Sequence, residues 1–407
     1  MDKISKQNKN SFAVEKAIIC FYIFAHFIGL IYMIQSKKLA GDFYGMNVPV
    51  TLSTLELILA FALTITIYFL FYMLYKLSAI RKIAIKYKFS LNKNLFDRFY
   101  FILLLAQTVF VLTTGVGRVF SGANSRFSFI FSILNIDCIF GIYFFLCRRR
   151  KFIYILNISL FLFNNFIRGW FGVVLTLFFY ETYCQIQKGT LKRYSNKLWW
   201  SVPPILFMGG GLIYKLVYPI KMYIRLHERV SLSYLDAVIK LMNRISFFPV
   251  SILAFQNVNQ ISKLYNWQNI NFLEIKTMLR PILPRFLMPF KEFRVFSNLI
   301  EMTLYPDIPN TVSTEMGVVS YFYVLIKTNL CELIFWIFFI CAVSLFVKII
   351  FQMFCEYDGQ LDFLWFLFLI DLIKVGSLST LSYYYLYFFY LIPIMFAIGV
   401  IKIKRIK

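Results

Sequence analysis

Charged residues, histidines and paired cysteines are all scarce in this sequence. Only 15% of its 407 residues are charged and 60% are hydrophobic, whereas a soluble domain is typically about 25% charged. This deficit excludes a soluble enzyme, a disordered chain and a small secreted disulfide scaffold. The two histidines are too few for a histidine-rich metal centre. The seven cysteines have no C-x-x-C spacing, so neither a zinc site nor a redox pair is indicated.

Acidic residues are also few, with 19 Asp and Glu against 43 Lys and Arg, which gives a net charge of +24. In a soluble protein this excess would indicate nucleic acid as a partner. In so apolar a chain it instead indicates a membrane protein that keeps its basic loops in the cytoplasm. The apolar runs are continuous rather than alternating, which favours membrane-spanning helices over a β-barrel. No nucleic-acid partner is therefore expected.

The hydropathy pattern predicts an all-α polytopic membrane protein with about ten transmembrane helices, a large outer helical loop and a re-entrant half-helix. Residues 1–217 would hold transmembrane helices 1–7, residues 218–311 the large outer loop, and residues 312–407 the half-helix and transmembrane helices 8–10. The predicted spans cover about residues 17–34, 48–75, 99–115, 127–146, 152–166, 170–186, 198–217, 330–351, 361–374 and 381–401, with the half-helix at 312–326.

Five basic segments set the predicted orientation. They are the N-terminus, residues 76–98, 147–151 and 188–197, and the C-terminal tail. Ten spans place all five on one side, which the positive-inside rule makes cytoplasmic. Both termini are then cytoplasmic and the large loop faces outward.

The predicted outer loop is cationic, against the positive-inside rule. Its arginines include Arg225, Arg244, Arg285 and Arg294. Because a guanidinium binds phosphate through two parallel hydrogen bonds, one interpretation is a pocket for a phosphorylated or pyrophosphorylated ligand. The other is a set of solvated helix faces that touch lipid headgroups. For Arg244, on an otherwise apolar helix face, pairing with a carboxylate and binding a ligand are equally compatible with the sequence.

Arg168 lies between two apolar spans with almost no loop. A charge at this depth is costly unless it is paired or lines a wet cavity. Arg168 is interpreted either as an outward-facing cation that binds an anionic headgroup or as a side chain that snorkels to the interface.

The segment before the half-helix supplies a candidate base. Ser313 or Thr314 can cap the half-helix, and Glu315 would then lie in its first turn, where the helix dipole favours a carboxylate. Alternatively, Glu315 is a general base for a sugar hydroxyl, with Glu301 and Asp307 a few residues upstream as the alternative bases. Carboxylates are scattered through the outer loop, so no metal site is predicted.

Two short patches carry a family resemblance: the tight turn at residues 164–169 and the segment 310–317 that leads into the half-helix. With the spans and the late outer loop, they resemble the bacterial O-antigen polymerases, the Wzy-type oligosaccharide repeat-unit polymerases. The resemblance implies an all-helical, lipid-dependent glycosyltransferase fold related to the O-antigen ligase.

The implied reaction joins repeat units carried on undecaprenyl pyrophosphate at the periplasmic face of the bacterial inner membrane, without metal or cofactor. Beside these lipid-linked glycans and the bilayer, the implied partners are a chain-length regulator and a flippase. Carried onto this chain, the resemblance predicts catalytic roles for Glu315 and Arg244. The candidate pyrophosphate-binding residues are Arg168, Arg225, Arg285 and Arg294.

Two other function classes compete with this interpretation. A lipid-linked oligosaccharide flippase or other transporter needs charges deep within spans, and Glu56, Asp137, Glu181 and Asp371 are candidates. The long outer loop and the lack of an internal repeat argue against it. An insect-type chemoreceptor channel has a similar length and aromatic content, but its seven spans fit the charge pattern poorly.

Overall fold

The computed structural model of the chain describes most, but not all, of its residues. The described residues are 2–44, 46–80, 87–118, 123, 125, 127, 130–131, 136–149, 151–188, 202–226, 229–268, 272–279, 294–307, 315–354, 360–376, 378 and 391–405.

The described part is mostly helical, as the sequence predicts. Its helices are α1 (Asp2–Ser36), α2 (Thr54–Ile80), α3 (Lys93–Thr114), α4 (Ile136–Leu146), α5 (Phe152–Arg168), α6 (Val173–Gln187), α7 (Val202–Leu226), α8 (Tyr234–Ile245), α9 (Phe248–Gln256), α10 (Val258–Trp267), α11 (Leu273–Leu279), α12 (Phe296–Met302), α13 (Val318–Thr328), α14 (Leu330–Gln352), α15 (Gln360–Val375) and α16 (Ile392–Ala397). A short 3₁₀ helix spans Gly41–Phe43.

Four helices among the described residues are long and apolar enough to cross a membrane: Val14–Ser36 within α1, Thr54–Leu77 within α2, and the whole of α3 and α14. They correspond to the first, second, third and eighth predicted spans. Helices α8 and α9, bent by 57° at their junction, would make a fifth if they form one broken span. The membrane character is thus supported, and the count of ten spans stays a prediction.

Shorter apolar helices lie where other spans were predicted. Phe152–Arg168 and Leu206–Ile220 fall at the predicted fifth and seventh spans. Helix α13, the predicted half-helix, has 11 residues. At 1.5 Å per residue, a helix of that length covers only about half of a bilayer core.

A two-stranded antiparallel sheet is the part of the fold that the all-α prediction missed. Strand β1 (Tyr87–Leu91) pairs with strand β2 (Ile401–Arg405) along its whole length. Phe89, Leu91 and Ile401 are buried, and the amide of Phe89 donates to the carbonyl of Met353 at the end of α14. The sequence predicts a basic connector for the first segment, and the last residue of the final span followed by the basic tail for the second.

The sheet brings two of the five basic segments together, namely residues 76–98 and the C-terminal tail. A third segment joins them through Arg149, which pairs with the buried Asp97 of α3. Next to it, Arg148 Nη1 lies 2.7 Å from Glu181 Oε2 of α6, and the hydrogen bond to this carboxylate raises the pKa of the Arg148 guanidinium. These segments lie at one end of the bundle, and the membrane side that this end faces stays a prediction.

Part of the predicted outer loop packs inside the bundle. Helix α7 runs through the predicted boundary at residue 217. Helix α9 is buried from Phe248 to Ala254 and contacts α1, α2 and α13. Its sequence is apolar on almost every side, and a helix with no polar face is stable only when it is surrounded.

Candidate functional site

Arg168 ends helix α5 and is buried, with 8% of its surface exposed. The next residue, Gly169, stops the helix in the left-handed region with φ 82°, which glycine adopts without steric cost. The Arg168 Nη1 atom lies 2.8 Å from Asp137 Oδ2 of α4, and its guanidinium lies 4.1 Å from the ring centroid of Trp170. The charge is therefore paired with a carboxylate and covered by an indole.

The turn around Arg168 is fixed to its neighbours by amide side chains. Asn164 Nδ2 donates to Thr108 Oγ1 of α3 at 3.0 Å. Asn165 Nδ2 donates to the Phe161 carbonyl at 3.0 Å and lies 3.4 Å from Asp137 Oδ1. The guanidinium is thereby held in one position. Sequence reasoning considered Asp137 only as a transporter residue, because nothing local identifies it as the partner of Arg168.

Glu315 precedes helix α13 instead of lying in its first turn. The helix begins at Val318 with Gly317 as its N-cap, and no side chain makes a capping hydrogen bond there. The interpretation of Glu315 as a first-turn residue is therefore wrong. Ser313 and Thr314 lie outside the described residues.

The partner of Glu315 is Lys374 of α15, whose Nζ lies 3.3 Å from Glu315 Oε1. The Glu315 side chain is 39% exposed and that of Lys374 is 18% exposed. The carboxylate is thus reachable, while the cation that holds it is largely enclosed. Sequence reasoning missed Lys374, which it counted only as the end of a predicted span.

The backbone beside Glu315 is docked tightly on the bundle. The amide of Gly317 donates to the carbonyl of Lys374 at 2.8 Å, and the Ser251 hydroxyl of α9 donates to the Met316 carbonyl at 3.0 Å. A Cβ added at Gly376 would come within 2.7 Å of the Gly317 carbonyl oxygen. Helices α9 and α15, with the glycine that follows α15, therefore fix the backbone next to Glu315.

More polar side chains from α1, α2 and α8–α9 lie next to this pair. His26 Nδ1 lies 2.9 Å from Ser246 Oγ, and His26 Nε2 lies 3.2 Å from the Tyr68 hydroxyl. Lys374 Nζ lies 5.7 Å from the ring centroid of Tyr22, and the Tyr22 and Tyr68 rings stack with centroids 6.4 Å apart. We call this set the interior polar cluster: Tyr22, His26, Tyr68, Ser246, Glu315 and Lys374.

Sequence reasoning assigned no role to the histidine and the two tyrosines of this cluster. Their signal was polar side chains within otherwise apolar spans, which in membrane proteins tend to mark functional positions. The residues of the cluster come from segments that lie about 40 to 180 positions apart along the chain, so no sequence spacing joins them.

The remaining predicted arginines lie apart from one another. Arg244 is exposed in the last turn of α8, where a cation suits the helix dipole. Arg294 Nη1 donates to Asn298 Oδ1 at 3.1 Å, and the Arg294 amide donates to Gln268 Oε1 at 2.7 Å. Arg225 lies in α7 and its side chain is not among those described, whereas Arg285 lies outside the described residues altogether.

Within the described residues, no group of three or more His, Cys, Asp or Glu side chains could hold a metal ion. Comparison with known proteins identifies no relative: no protein family, curated protein or solved structure matches this chain.

Proposed function

We propose that this chain is a membrane glycosyltransferase that polymerises oligosaccharide repeat units carried on undecaprenyl pyrophosphate, at the periplasmic face of the bacterial inner membrane. The observation that supports this most is the Glu315–Lys374 pair at the break before α13. It offers a reachable carboxylate, fixed by rigid elements, at the edge of a bundle with helices of membrane-spanning length.

In the proposed reaction, a sugar hydroxyl of the acceptor repeat unit attacks the anomeric carbon of the donor glycan. The bond from that carbon to the pyrophosphate oxygen breaks, and undecaprenyl pyrophosphate leaves. The hydroxyl proton passes to Glu315 as general base. Before the reaction the Lys374 ammonium, 3.3 Å from Glu315 Oε1, holds the carboxylate in position.

Among the arginines that the structure describes, Arg168 is the first candidate to neutralise the leaving pyrophosphate. A guanidinium has five N–H donors in a rigid fork, and Asp137 engages it through Nη1. Trp170, which lies beside it, is 39% exposed and offers an apolar face to a lipid or sugar. Arg244 remains a second candidate catalytic residue, and Arg225, Arg285 and Arg294 remain candidates for pyrophosphate binding.

A transporter is the second candidate function. The interior polar cluster favours it because the cluster places ionisable side chains among apolar helices. Charged side chains among spans often mark the path of a substrate or ion. Lys374 contacts Glu315 and also lies over the ring of Tyr22, one turn from His26 on α1. The substrate would then be a lipid-linked oligosaccharide that crosses the membrane unchanged.

Reconstitution separates the two functions. The purified chain is placed in lipid vesicles that contain a lipid-pyrophosphate-linked oligosaccharide, and the products are separated by size while the glycan exposed on each leaflet is counted. A ladder of glycans differing by one repeat unit supports the polymerase. Redistribution of the unchanged glycan between leaflets, without a ladder, would instead establish the transporter.

A further inference from the structure

The β1–β2 sheet presents a basic face to solvent. Side chains alternate between the two faces of a strand, so Lys88, Lys402 and Lys404 share one face, opposite the buried Phe89 and Ile401. Lys88 lies directly across from Lys404 in the register, and Lys402 lies across from Ser90. The sheet thus gathers three ammonium groups on a surface two strands wide.

Like charges directly opposite on a sheet are destabilising unless something compensates for them. Among the described residues, none of these three lysines makes an ion pair. Two acidic residues at the same end of the bundle, Asp97 and Glu181, are already occupied by Arg149 and Arg148. Within the described residues no carboxylate neutralises these three lysines, so an anionic ligand can supply their counter-charge.

The position of the sheet indicates where that counter-charge lies. Asn92, the residue after β1, caps helix α3 with its side chain and donates its amide to the Val400 carbonyl at 2.8 Å. Phe354, just past the end of α14, pairs with Phe89 through a single backbone β-bridge. Both helices are of membrane-spanning length, so the sheet sits against their ends, where a bilayer surface would be.

The far end of the sheet also exposes apolar side chains. Ile403 is 61% exposed and Tyr87 is 51% exposed, and both lie on the face opposite the lysines. Exposed apolar and basic groups on one projecting element are typical of structures that lie in the membrane interface. A purely soluble anion would make no use of the apolar face.

We propose that the β1–β2 sheet is a docking surface for the anionic phospholipid headgroups of the adjacent leaflet, with Lys88, Lys402 and Lys404 contacting lipid phosphate. Each basic residue near such a surface contributes to the attraction, which falls with salt. This function is independent of the proposed polymerase reaction, because the sheet lies at the end of α3 and α14 and contains none of the candidate catalytic residues.

Native mass spectrometry of the purified full chain tests the proposal. The wild type in neutral detergent is offered phosphatidylglycerol and phosphatidylcholine together, and the bound lipids are counted at low and high salt. We expect preferential retention of phosphatidylglycerol that declines as salt rises. The variant Lys88→Gln/Lys402→Gln/Lys404→Gln should bind phosphatidylglycerol about 100-fold more weakly, with binding of phosphatidylcholine unchanged.

The matched control removes three exposed charges elsewhere: Arg229→Gln/Lys263→Gln/Lys327→Gln. Lys327 lies just before the start of α14, at the other end of that helix from the sheet. This control variant should bind phosphatidylglycerol as tightly as the wild type does. An equal loss in both triple variants, or none in the sheet variant, would overturn the proposal.

Two further measurements cover the remaining cases. If the Gln variant does not fold, Lys88→Arg/Lys402→Arg/Lys404→Arg keeps the charges and should keep the lipid preference, and its loss would contradict the account. If soluble glycerol phosphate displaces phosphatidylglycerol at comparable concentrations, the site takes a free phosphate and the membrane role is wrong.

Discussion

Lys374 Nζ lies 3.3 Å from Glu315 Oε1, and the carbonyl of the same lysine accepts the hydrogen bond of the Gly317 amide at 2.8 Å. One residue of α15 therefore holds both the side chain of the candidate base and the backbone that carries it. The side-chain contact can be removed without touching the backbone contact, which makes the two roles separable by mutation.

The first prediction concerns that ion pair. Lys374→Gln should lower the free energy of unfolding by about 1 kcal/mol, because the partner carboxylate is partly exposed and screened by solvent. The exchange Glu315→Lys/Lys374→Glu restores the pair and should recover most of this stability. It should not recover polymerisation, because the carboxylate then sits on α15. Thermal unfolding and glycan ladders measure the two effects, and a fully active exchange variant would exclude Glu315 as a positioned base.

The second prediction concerns Arg168. A charge-assisted hydrogen bond is worth on the order of 1.5–3 kcal/mol, so Arg168→Ala should slow polymerisation by roughly 10- to 150-fold if the contact forms only in the transition state. Arg168→Lys should stay slow, because an ammonium cannot make the bidentate contact. Polymerisation rates are compared at equal protein level.

Asp137→Asn is the companion variant for Arg168. It removes the resident counter-charge and keeps the side-chain shape, so it should retain polymerisation above the level of Arg168→Ala. Should Asp137→Asn and Arg168→Ala lose stability and activity equally, the pair has a structural role only.

The third prediction concerns Gly317. Its φ of 75° lies in the left-handed region, and an added Cβ would come within 2.4 Å of the Phe247 ring. Gly317→Ala should therefore lower stability by about 1–3 kcal/mol and displace Glu315. Gly172→Ala is the matched control, since an added Cβ there meets nothing within 4 Å and φ is −59°. Equal thermal unfolding of the two variants would contradict the tight docking of the segment before α13.

The fourth prediction concerns orientation. With Cys331 replaced by Ser to remove an exposed native thiol, Lys263→Cys should react with a membrane-impermeant thiol reagent in intact cells. Lys404→Cys on the sheet should react only after the membrane is permeabilised. The reverse pattern would place the basic end of the bundle outside the cell.

The sequence predicts the long helices well, because their signal is local. A continuous apolar run is sufficient to indicate a span. Leu330–Gln352 matches the predicted span 330–351 to within one residue, and Thr54–Leu77 overlaps most of the predicted span 48–75. The β1–β2 sheet could not be predicted in the same way. Its strands have five residues each, and Tyr87 pairs with Arg405 across more than 300 positions.

The candidate site shows the same limit. The sequence identified Arg168 and Glu315 as charged residues at the ends of apolar segments, where an unpaired charge is energetically costly. It could not identify Asp137 and Lys374 as their partners, because the choice of a partner depends on how α4 and α15 pack. The helix start at Val318 was missed for a related reason: the docking of Gly317 on Lys374, a tertiary contact, decides where α13 begins.

The most direct test of the central claim is the rate at which the reconstituted wild type and Glu315→Gln release undecaprenyl pyrophosphate from lipid-linked repeat units, measured in excess chelator. Asp307→Asn, an exposed carboxylate in the segment before Glu315, is the control. The account predicts one lipid pyrophosphate per new glycosidic bond for the wild type and the control. For Glu315→Gln it predicts a rate about 10²- to 10⁴-fold lower, the usual contribution of a general base. Glycosidic bond formation by Glu315→Gln at the wild-type rate, or no lipid pyrophosphate release by the wild type, would contradict it.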